Sequence, residues 1–338
     1  MDIEFHNREK EIEEIKKILN RRPNMIVFVY GPINSGKTEL FQYLIERLPN
    51  DFVTFYVNLR ERMIGSYDDF VEALFEIPEG GKKIVLKELI TEVTKFAGIP
   101  ISKNLLEIIF KEDRPKNAFR YVVKVTKDIK ERGKSPILII DELQKIRDVK
   151  IDDYLIYELF NLFVRLTKEL HCCHVFAITS DSLFIEKIFN EAMLQGRCRY
   201  LLIDDFDYQT TASFLRKHDF SGDEIRLTWE YFGGKPAYLV EVIGEKHRLK
   251  KFCEMSLRLR KRQIKDVLYS LDDRFRESIL EQLSTFEDEE IMPYDRLTEE
   301  IVWCVKHNIL FVDPMNEIIK PQSRLDLLAI RKILKEFN

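Results

Sequence analysis

The chain has 338 residues, of which 45% are hydrophobic, so it is long enough to form about two or three domains with buried cores. Its 54 basic and 58 acidic residues give a net charge of −4, which excludes a general attraction to nucleic acid and leaves only local basic patches. A chain of this length and composition does not need disulfides, and its five cysteines form no C-x-x-C pair and no Cys/His cluster at zinc-ligand spacing. The sequence has no signal-peptide pattern and no run of about 18 apolar residues, so we expect a cytoplasmic protein without membrane contact.

The first predicted element is an amphipathic helix within residues 4–19. Ile12, Ile15 and Leu19 recur at helical spacing, and acidic residues occupy the expected first turn. Asn7 is the expected N-cap of this helix.

The strongest motif is a P-loop. Residues 26–30 are an apolar run typical of a buried strand, residues 31–38 match G-x-x-x-x-G-K-[ST], and residues 39–48 have a helical pattern. The backbone N–H groups of such a loop, together with the helix N-terminus, bind polyphosphate. We expect Lys37 to contact the β and γ phosphates of ATP or ADP and Thr38 to bind Mg²⁺. The predicted nucleotide-binding residues of this segment are Gly31, Pro32, Ile33, Asn34, Ser35, Gly36, Lys37, Thr38 and Glu39.

A second strand is predicted at residues 52–57. The order strand, helix, strand indicates an α/β fold with a parallel sheet and right-handed crossovers. Residues 66–132 then show helical patterns, which we interpret as helices inserted beside the sheet. Their apolar stripes consist of Phe70, Leu74 and Phe75, and of Leu86, Leu89, Ile90 and Val93.

Two carboxylates follow the apolar run at residues 137–140. Ligands of open α/β sheets bind at the carboxyl ends of strands, so we expect Asp141 to bind Mg²⁺ and Glu142 to orient or deprotonate the attacking water. The alternative for Glu142 is a carboxylate that caps the following helical turn.

Two later segments offer further candidates for phosphoryl transfer. A strand at residues 174–179 places Thr179 or Ser180 at its end, where either side chain is positioned to sense the γ-phosphate; a plain turn is the alternative. Arg197 is a candidate to offer its guanidinium to the γ-phosphate, in the same chain or in a neighbouring subunit, and an exposed loop arginine is the alternative.

Residues 208–247 have the pattern of a small helical lid. Gly233-Gly234 ends one predicted helix, and Pro236 suits the first turn of the next helix, whose N-terminus is a candidate to face the nucleotide. The stretch 246–265 is rich in arginine and lysine, which is usual for a solvated helical face and also permits contact with double-stranded DNA.

The tail predicts helices at 274–284 and 295–307, followed by a β-hairpin at 309–321. Helices followed by a hairpin are typical of a winged helix. Such modules bind DNA or make protein contacts only, so the fold leaves both open.

These motifs together resemble the archaeal ATPase family, a branch of the STAND group within the AAA-plus-like P-loop ATPases. The resemblance extends over nearly the whole chain. It rests on Phe5 with Asn7-Arg8-Glu9-Lys10-Glu11, Gly31 to Thr38, Asn58-Leu59-Arg60, Asp141-Glu142-Leu143-Gln144, Gly196-Arg197, Gly233-Gly234-Lys235-Pro236, and Asn308 through Ile319-Lys320-Pro321-Gln322-Ser323-Arg324.

The resemblance implies a P-loop ATPase core with a helical insertion at residues 1–206, a helical lid at 207–265 and a winged helix at 266–338. It also implies that Phe5, Asn7 and Arg8 belong to a segment that packs on adenine, and that Arg197 occupies a Gly-Arg position of the family. Archaeal replication initiators have a similar plan but carry an arginine where this chain has Pro236, a difference that favours the STAND branch.

The resulting hypothesis is a Mg-dependent ATPase that acts as a nucleotide-driven switch. The alternatives are a nucleotide-regulated protein that binds DNA through the winged helix and the 246–265 stretch, and an interaction scaffold that retains ADP. A protein partner and a homo-oligomer remain open.

Overall fold

The computed structural model describes residues 3–61, 63–77, 94–111, 115–151 and 153–337. The amino-terminal region contains α1 (Glu9–Leu19), β1 (Ile26–Tyr30), α2 (Lys37–Arg47), β2 (Phe52–Asn58), α3 (Tyr67–Leu74), β3 (Phe75–Glu76), β4 (Lys95–Phe96), β5 (Ile99–Pro100), α4 (Lys103–Lys111), α5 (Pro115–Glu131), β6 (Ser135–Asp141), β7 (Lys150–Ile151), β8 (Asp153–Tyr154), α6 (Leu155–Val164), β9 (His174–Ile178), α7 (Ser182–Phe189) and β10 (Cys198–Leu202). The remainder contains α8 (Tyr208–Arg216), α9 (Gly222–Phe232), α10 (Pro236–Gly244), α11 (Leu249–Tyr269), α12 (Asp273–Leu283), β11 (Met292–Pro293), α13 (Glu299–Lys306), β12 (Leu310–Asp313), β13 (Ile318–Pro321) and α14 (Arg324–Phe337).

The central element is a six-stranded sheet in the order β10-β1-β9-β6-β2-β4, and all of its strand pairs are parallel. All five residues of β1 are buried, as expected for a parallel strand that helices cover on both faces. Phe28 and Tyr30 belong to one core cluster, whereas Val27 and Val29 belong to another, so the alternation of the strand divides the core in two. The predicted α/β fold with a parallel sheet is confirmed.

One local prediction changes. Asn7 does not cap α1, because the helix begins at Glu9 and Arg8 occupies the cap position with a φ of 74° and no side-chain capping bond. The helix that begins at Leu155 is α-helical to Val164 and continues as a π-helical turn over Arg165–Glu169. The predicted stripe from Leu86 to Val93 lies outside the described residues, whereas the stripe on α3 is buried.

The region after the sheet has its own core. Buried apolar side chains from α8 through α14 form one cluster, which extends from Ala212 to Leu334. Helix α11 runs from Leu249 to Tyr269 and therefore crosses the predicted boundary at residue 265. Strands β12 and β13, the C-terminal hairpin, pair antiparallel, and β11 adds a third short strand at the β13 edge. In the described part of the chain, no helix combines the length and apolar character needed to cross a membrane.

Candidate nucleotide-binding site

The P-loop lies between β1 and α2, at the carboxyl edge of the sheet. Two glycines are required by its backbone. A Cβ at Gly31 would lie 2.1 Å from the carbonyl oxygen of Ile203, and Gly36 has a φ of 88°, which a side chain disfavours. Helix α2 begins at Lys37, directly after Gly36, so its free N–H groups and its positive dipole end face the loop. This arrangement forms an anion-binding concavity.

Lys37 is buried beneath this loop, and only 5% of it is exposed. Its Nζ donates to the carbonyls of Gly31 at 3.0 Å and Pro32 at 2.8 Å, and lies 3.4 Å from Ser35 Oγ. Burial, and secondarily the nearby Lys235 ammonium, lower the pKa of Lys37 to about 7. A buried ammonium held only by neutral oxygens is suited to receive an anionic ligand.

Side-chain oxygens of the kind that hard cations prefer lie beside Lys37. Thr38 Oγ1 donates to Asp141 Oδ2 at 2.8 Å, and the Tyr56 hydroxyl donates to the same carboxylate oxygen at 2.6 Å. Burial, and then the Asp141 charge, raise the pKa of Tyr56, so the phenol stays a neutral donor. No group of three or more His, Cys, Asp or Glu side chains with metal-site geometry occurs among the described residues. A hydroxyl and one carboxylate fit Mg²⁺, which usually takes its other ligands from phosphate and water.

Glu142 follows Asp141 in a left-handed conformation with a φ of 61°. Arg60 donates to its Oε1 at 2.6 Å, and Gln144 Nε2 donates to its Oε2 at 2.8 Å. Gln144 Oε1 in turn accepts a hydrogen bond from Thr179 Oγ1 at 2.7 Å. Glu142 occupies the N-cap position of the 3₁₀ turn at Leu143–Ile146, as its alternative role implies, but its side chain makes no capping bond to that turn.

The two candidate γ-phosphate sensors at the end of β9, Thr179 and Ser180, have different environments. Thr179 is buried and bonded to Gln144, whereas Ser180 lines the cavity above the P-loop. This cavity has a volume of about 600 Å³. The predicted site residues that line it are Phe5, Arg8, Asn34, Ser35, Gly36, Lys37, Thr38, Glu39, Glu142, Ser180 and Pro236. Other lining residues are Ile3, Glu4, His6, Arg60, Phe206, Phe214, Ala237 and Val240.

The apolar end of the cavity suits a planar base. Phe5 stacks on Tyr43 of α2 with a centroid separation of 4.0 Å, and Phe206 and Phe214, whose rings contact that of the neighbouring His6, also line the cavity. Helix α10 begins at Pro236, as predicted, and Pro236 and Val240 face the cavity. Phe206 and Phe214 were not predicted, because a single aromatic residue near a lid helix cannot be distinguished from core by sequence.

Two predicted residues of the amino-terminal segment have other contacts. Asn7 does not line the cavity; its Nδ2 donates to Thr210 Oγ1 at 3.1 Å, which joins the segment to α8. Arg8 is 5% exposed and donates to the backbone carbonyls of Ser35 at 2.7 Å and Asp204 at 2.6 Å. Its guanidinium therefore braces the P-loop from outside while part of the side chain lines the cavity.

Four other predicted site residues do not line the cavity: Gly31, Pro32, Ile33 and Asp141. Arg197 lies elsewhere. The Ile26 N–H donates to the Arg197 carbonyl, which places this residue at the amino end of β1, opposite the P-loop. Four residues of strand, at about 3.3 Å each, separate the two edges. Its predicted role within the same chain is therefore wrong, and the role in a neighbouring subunit stays a prediction.

Comparisons with known proteins support nucleotide binding. ATPase domains found predominantly in archaea match residues 5–242. The chain belongs to this archaeal ATPase family. Residues 250–334 match the C-terminal domain of uncharacterized ATP-binding proteins like MJ1010. An uncharacterized ATP-binding protein of Methanocaldococcus jannaschii is 51% identical, with 99% of both chains covered, and one of Pyrococcus abyssi is 50% identical, with 98% of both covered.

Two solved structures share the fold of this archaeal ATPase. The Walker-type ATPase of Pyrococcus abyssi superposes with a TM-score of 0.65 at 16% identity and covers 97% of this chain and 96% of its own. The Aeropyrum pernix ORC2 protein, solved with ADPNP and ADP, has a TM-score of 0.51 at 11% identity and covers 98% of this chain and 94% of its own.

Proposed function

We propose that this archaeal ATPase hydrolyses ATP with Mg²⁺ and acts as a nucleotide-driven switch of the STAND type. The observation that carries the proposal is the hydrogen bond between Thr38 Oγ1 and Asp141 Oδ2, at 2.8 Å, directly beside Lys37 and Glu142. This pair joins the start of the P-loop helix to the end of β6. It brings a cation-binding hydroxyl, a carboxylate, an ammonium and a second carboxylate to one edge of the sheet.

In the proposed reaction, the P-loop amides and Lys37 bind the β and γ phosphates. Lys37 has to leave the carbonyls of Gly31 and Pro32 to reach them. Thr38 and Asp141 are the residues that would hold Mg²⁺, which when bound neutralises charge on the phosphate oxygens. Positioning and charge neutralisation account for most of the catalysis expected for phosphoryl transfer.

Glu142 is the proposed residue that orients the attacking water and accepts its proton. Both of its carboxylate oxygens already have donors, Arg60 and Gln144, so one of these bonds has to open before water is bound there. Ser180, at the end of β9, is the proposed contact to the γ-phosphate. Arg197 reaches a γ-phosphate only in a homo-oligomer, where a neighbouring subunit supplies it.

Mg-dependent ATP turnover tests the proposal. We expect turnover in the wild type, none after chelation of Mg²⁺, and losses of at least about a hundredfold in Lys37→Ala and in Glu142→Gln. Lys145→Ala, a charge removal just beyond Glu142, is the control that should retain turnover. Turnover at the wild-type rate in both Lys37→Ala and Glu142→Gln would contradict the proposal.

Double-stranded DNA is a second candidate ligand, favoured by exposed cations on α11. Lys250, Lys251 and Arg258 are exposed there. Arg260, in contrast, pairs with buried Asp326 at 2.6 Å, and Lys261 and Lys265 both pair with Glu336. The proposed test is therefore the triple Lys250→Ala, Lys251→Ala and Arg258→Ala variant, which should weaken duplex binding and reduce its salt dependence. Unchanged duplex binding would show that this surface is a solvated helical face that does not contact DNA.

The third candidate is a scaffold that retains ADP. The observation that favours it is the cavity of about 600 Å³ that residues of the P-loop and of α10 line together. Chromatography of nucleotide released from purified protein tests it. An empty or freely exchanging site would exclude the scaffold and leave the switch.

A further inference from the structure

The C-terminal hairpin reaches the P-loop through the residue that follows it, Gln322. The Ile33 N–H donates to Gln322 Oε1 at 3.2 Å. Gln322 Nε2 donates to the Leu310 carbonyl at 3.2 Å, and the Gln322 backbone N–H donates to the Ile309 carbonyl at 3.0 Å. A backbone N–H can only donate and a carbonyl can only accept, so these partners fix the orientation of the side-chain amide. With 6% of its surface exposed, Gln322 is a buried link between two regions far apart in sequence.

The same P-loop residue is held from its other side. Lys235 Nζ donates to the Ile33 carbonyl at 3.0 Å and pairs with Asp205 at 3.0 Å. Lys235 is 4% exposed and lies directly before α10. Both polar groups of Ile33 therefore have partners outside the ATPase core, one from the helical region and one from the C-terminal hairpin.

Further contacts fix the hairpin at this edge of the sheet. The buried Tyr30 hydroxyl, in the last residue of β1, donates to Asp313 Oδ1 at 2.7 Å. Lys320 pairs with Asp204 at 2.5 Å, just after β10. These contacts lie on the residues that begin and flank the P-loop. The position of the hairpin and the conformation of the loop are thus parts of one contact network.

We infer that Gln322 is a positioning residue of the nucleotide site and that it couples the docking of the C-terminal hairpin to the nucleotide bound at the P-loop. The inference rests on the proposed function. Lys37 is bonded to the carbonyls of Gly31 and Pro32, the two residues before Ile33. Binding of phosphate moves Lys37 away from them, which changes the loop that Gln322 contacts. Coupling of this kind is reciprocal, so loss of the Gln322 contact changes nucleotide preference.

The test compares affinities for ADP and for the non-hydrolysable analogue ADPNP. Gln322→Met keeps the length of the side chain and removes both hydrogen bonds of the side-chain amide, to Ile33 and to Leu310. The matched control is Gln263→Met, on the exposed part of α11. We expect the ratio of the two Kd values to change by about fivefold or more in Gln322→Met, within the range usual for coupled sites, and to stay within about twofold in the control. A ratio unchanged in Gln322→Met overturns the inference.

A second measurement uses the wild type and does not depend on the folding of a variant. Hydrogen exchange of the amides in residues 309–324 should differ between the ADP and ADPNP complexes, because the hairpin docks differently. Identical exchange in the two complexes overturns the inference. Neither measurement requires hydrolysis, so a failure of the proposed ATPase reaction is distinguished from a failure of this coupling.

Discussion

Arg60 and Glu142 form an ion pair in which the guanidinium donates to Oε1 at 2.6 Å; the Arg60 side chain is 68% exposed, whereas that of Glu142 is 9% exposed. The pair joins the end of β2 to the end of β6 at the proposed hydrolytic centre. It occupies one of the two Glu142 carboxylate oxygens, and the proposed reaction requires one of the two to be free. We interpret this ion pair as a contact that holds Glu142 in place and that breaks during turnover.

Replacement of Arg60 should therefore raise the basal rate. An ion pair with one exposed partner contributes up to about 1 kcal/mol, so Arg60→Ala should increase ATP turnover roughly three- to fivefold. Arg132→Ala, which removes a different exposed arginine, is the control. A large fall in turnover in Arg60→Ala would instead show that Arg60 takes part in the reaction.

Nucleotide binding should be linked to proton uptake through Lys37, whose pKa is lowered to about 7 in the free site. A bound polyphosphate favours the charged ammonium and raises this pKa. At pH 8 the Lys37 side chain is mostly neutral in the free protein and charged in the complex, so nucleotide binding should take up about one proton. At pH 6 the side chain is charged in both states and uptake should vanish. Calorimetry in buffers of different ionisation enthalpy measures it, and Lys37→Met should abolish the pH 8 uptake.

Arg8 should affect affinity through the shape of the P-loop. Its guanidinium reaches the Ser35 and Asp204 carbonyls at once, which a lysine ammonium on a flexible stem cannot reproduce. We expect Arg8→Lys to weaken ATP binding by roughly tenfold, equivalent to about 1.4 kcal/mol. Fluorescence titration with a labelled nucleotide checks this, with Lys10→Ala, in the first turn of α1, as the control. Unchanged affinity would leave Arg8 a purely structural residue.

The pair formed by Arg260 and Asp326 should contribute to stability rather than to binding. Burial is the largest influence on the Asp326 carboxyl and raises its pKa, and Arg260 opposes this effect. Removing one partner leaves an uncompensated buried charge, so Arg260→Ala should lower the free energy of unfolding by about 3 kcal/mol. Arg258→Ala, two residues away and exposed, should change it by less than about 0.5 kcal/mol. Urea denaturation distinguishes the two. Equal effects would contradict the distinction between the two arginines.

The sequence was most informative where local patterns determine the backbone. The burial of β1 and β6, the glycines of the P-loop and the position of Pro236 in α10 followed from periodicity and motif spacing. Contacts between distant segments did not. Arg60 with Glu142, Thr179 with Gln144, and Gln322 with Ile33 depend on which strand ends meet at the sheet edge. Arg197 was misjudged although the sequence places it before β10, because a residue that precedes a strand of a parallel sheet lies at the edge opposite the P-loop.

We expect ATP hydrolysis by this protein to depend on Glu142. The most direct measurement is single-turnover hydrolysis of ATP with excess enzyme and Mg²⁺, in the wild type and in Glu142→Gln, after both have been shown to bind ATP with similar Kd. We expect Glu142→Gln to bind ATP normally and to hydrolyse it at least about a hundredfold more slowly. Equal single-turnover rates in the two proteins would contradict it.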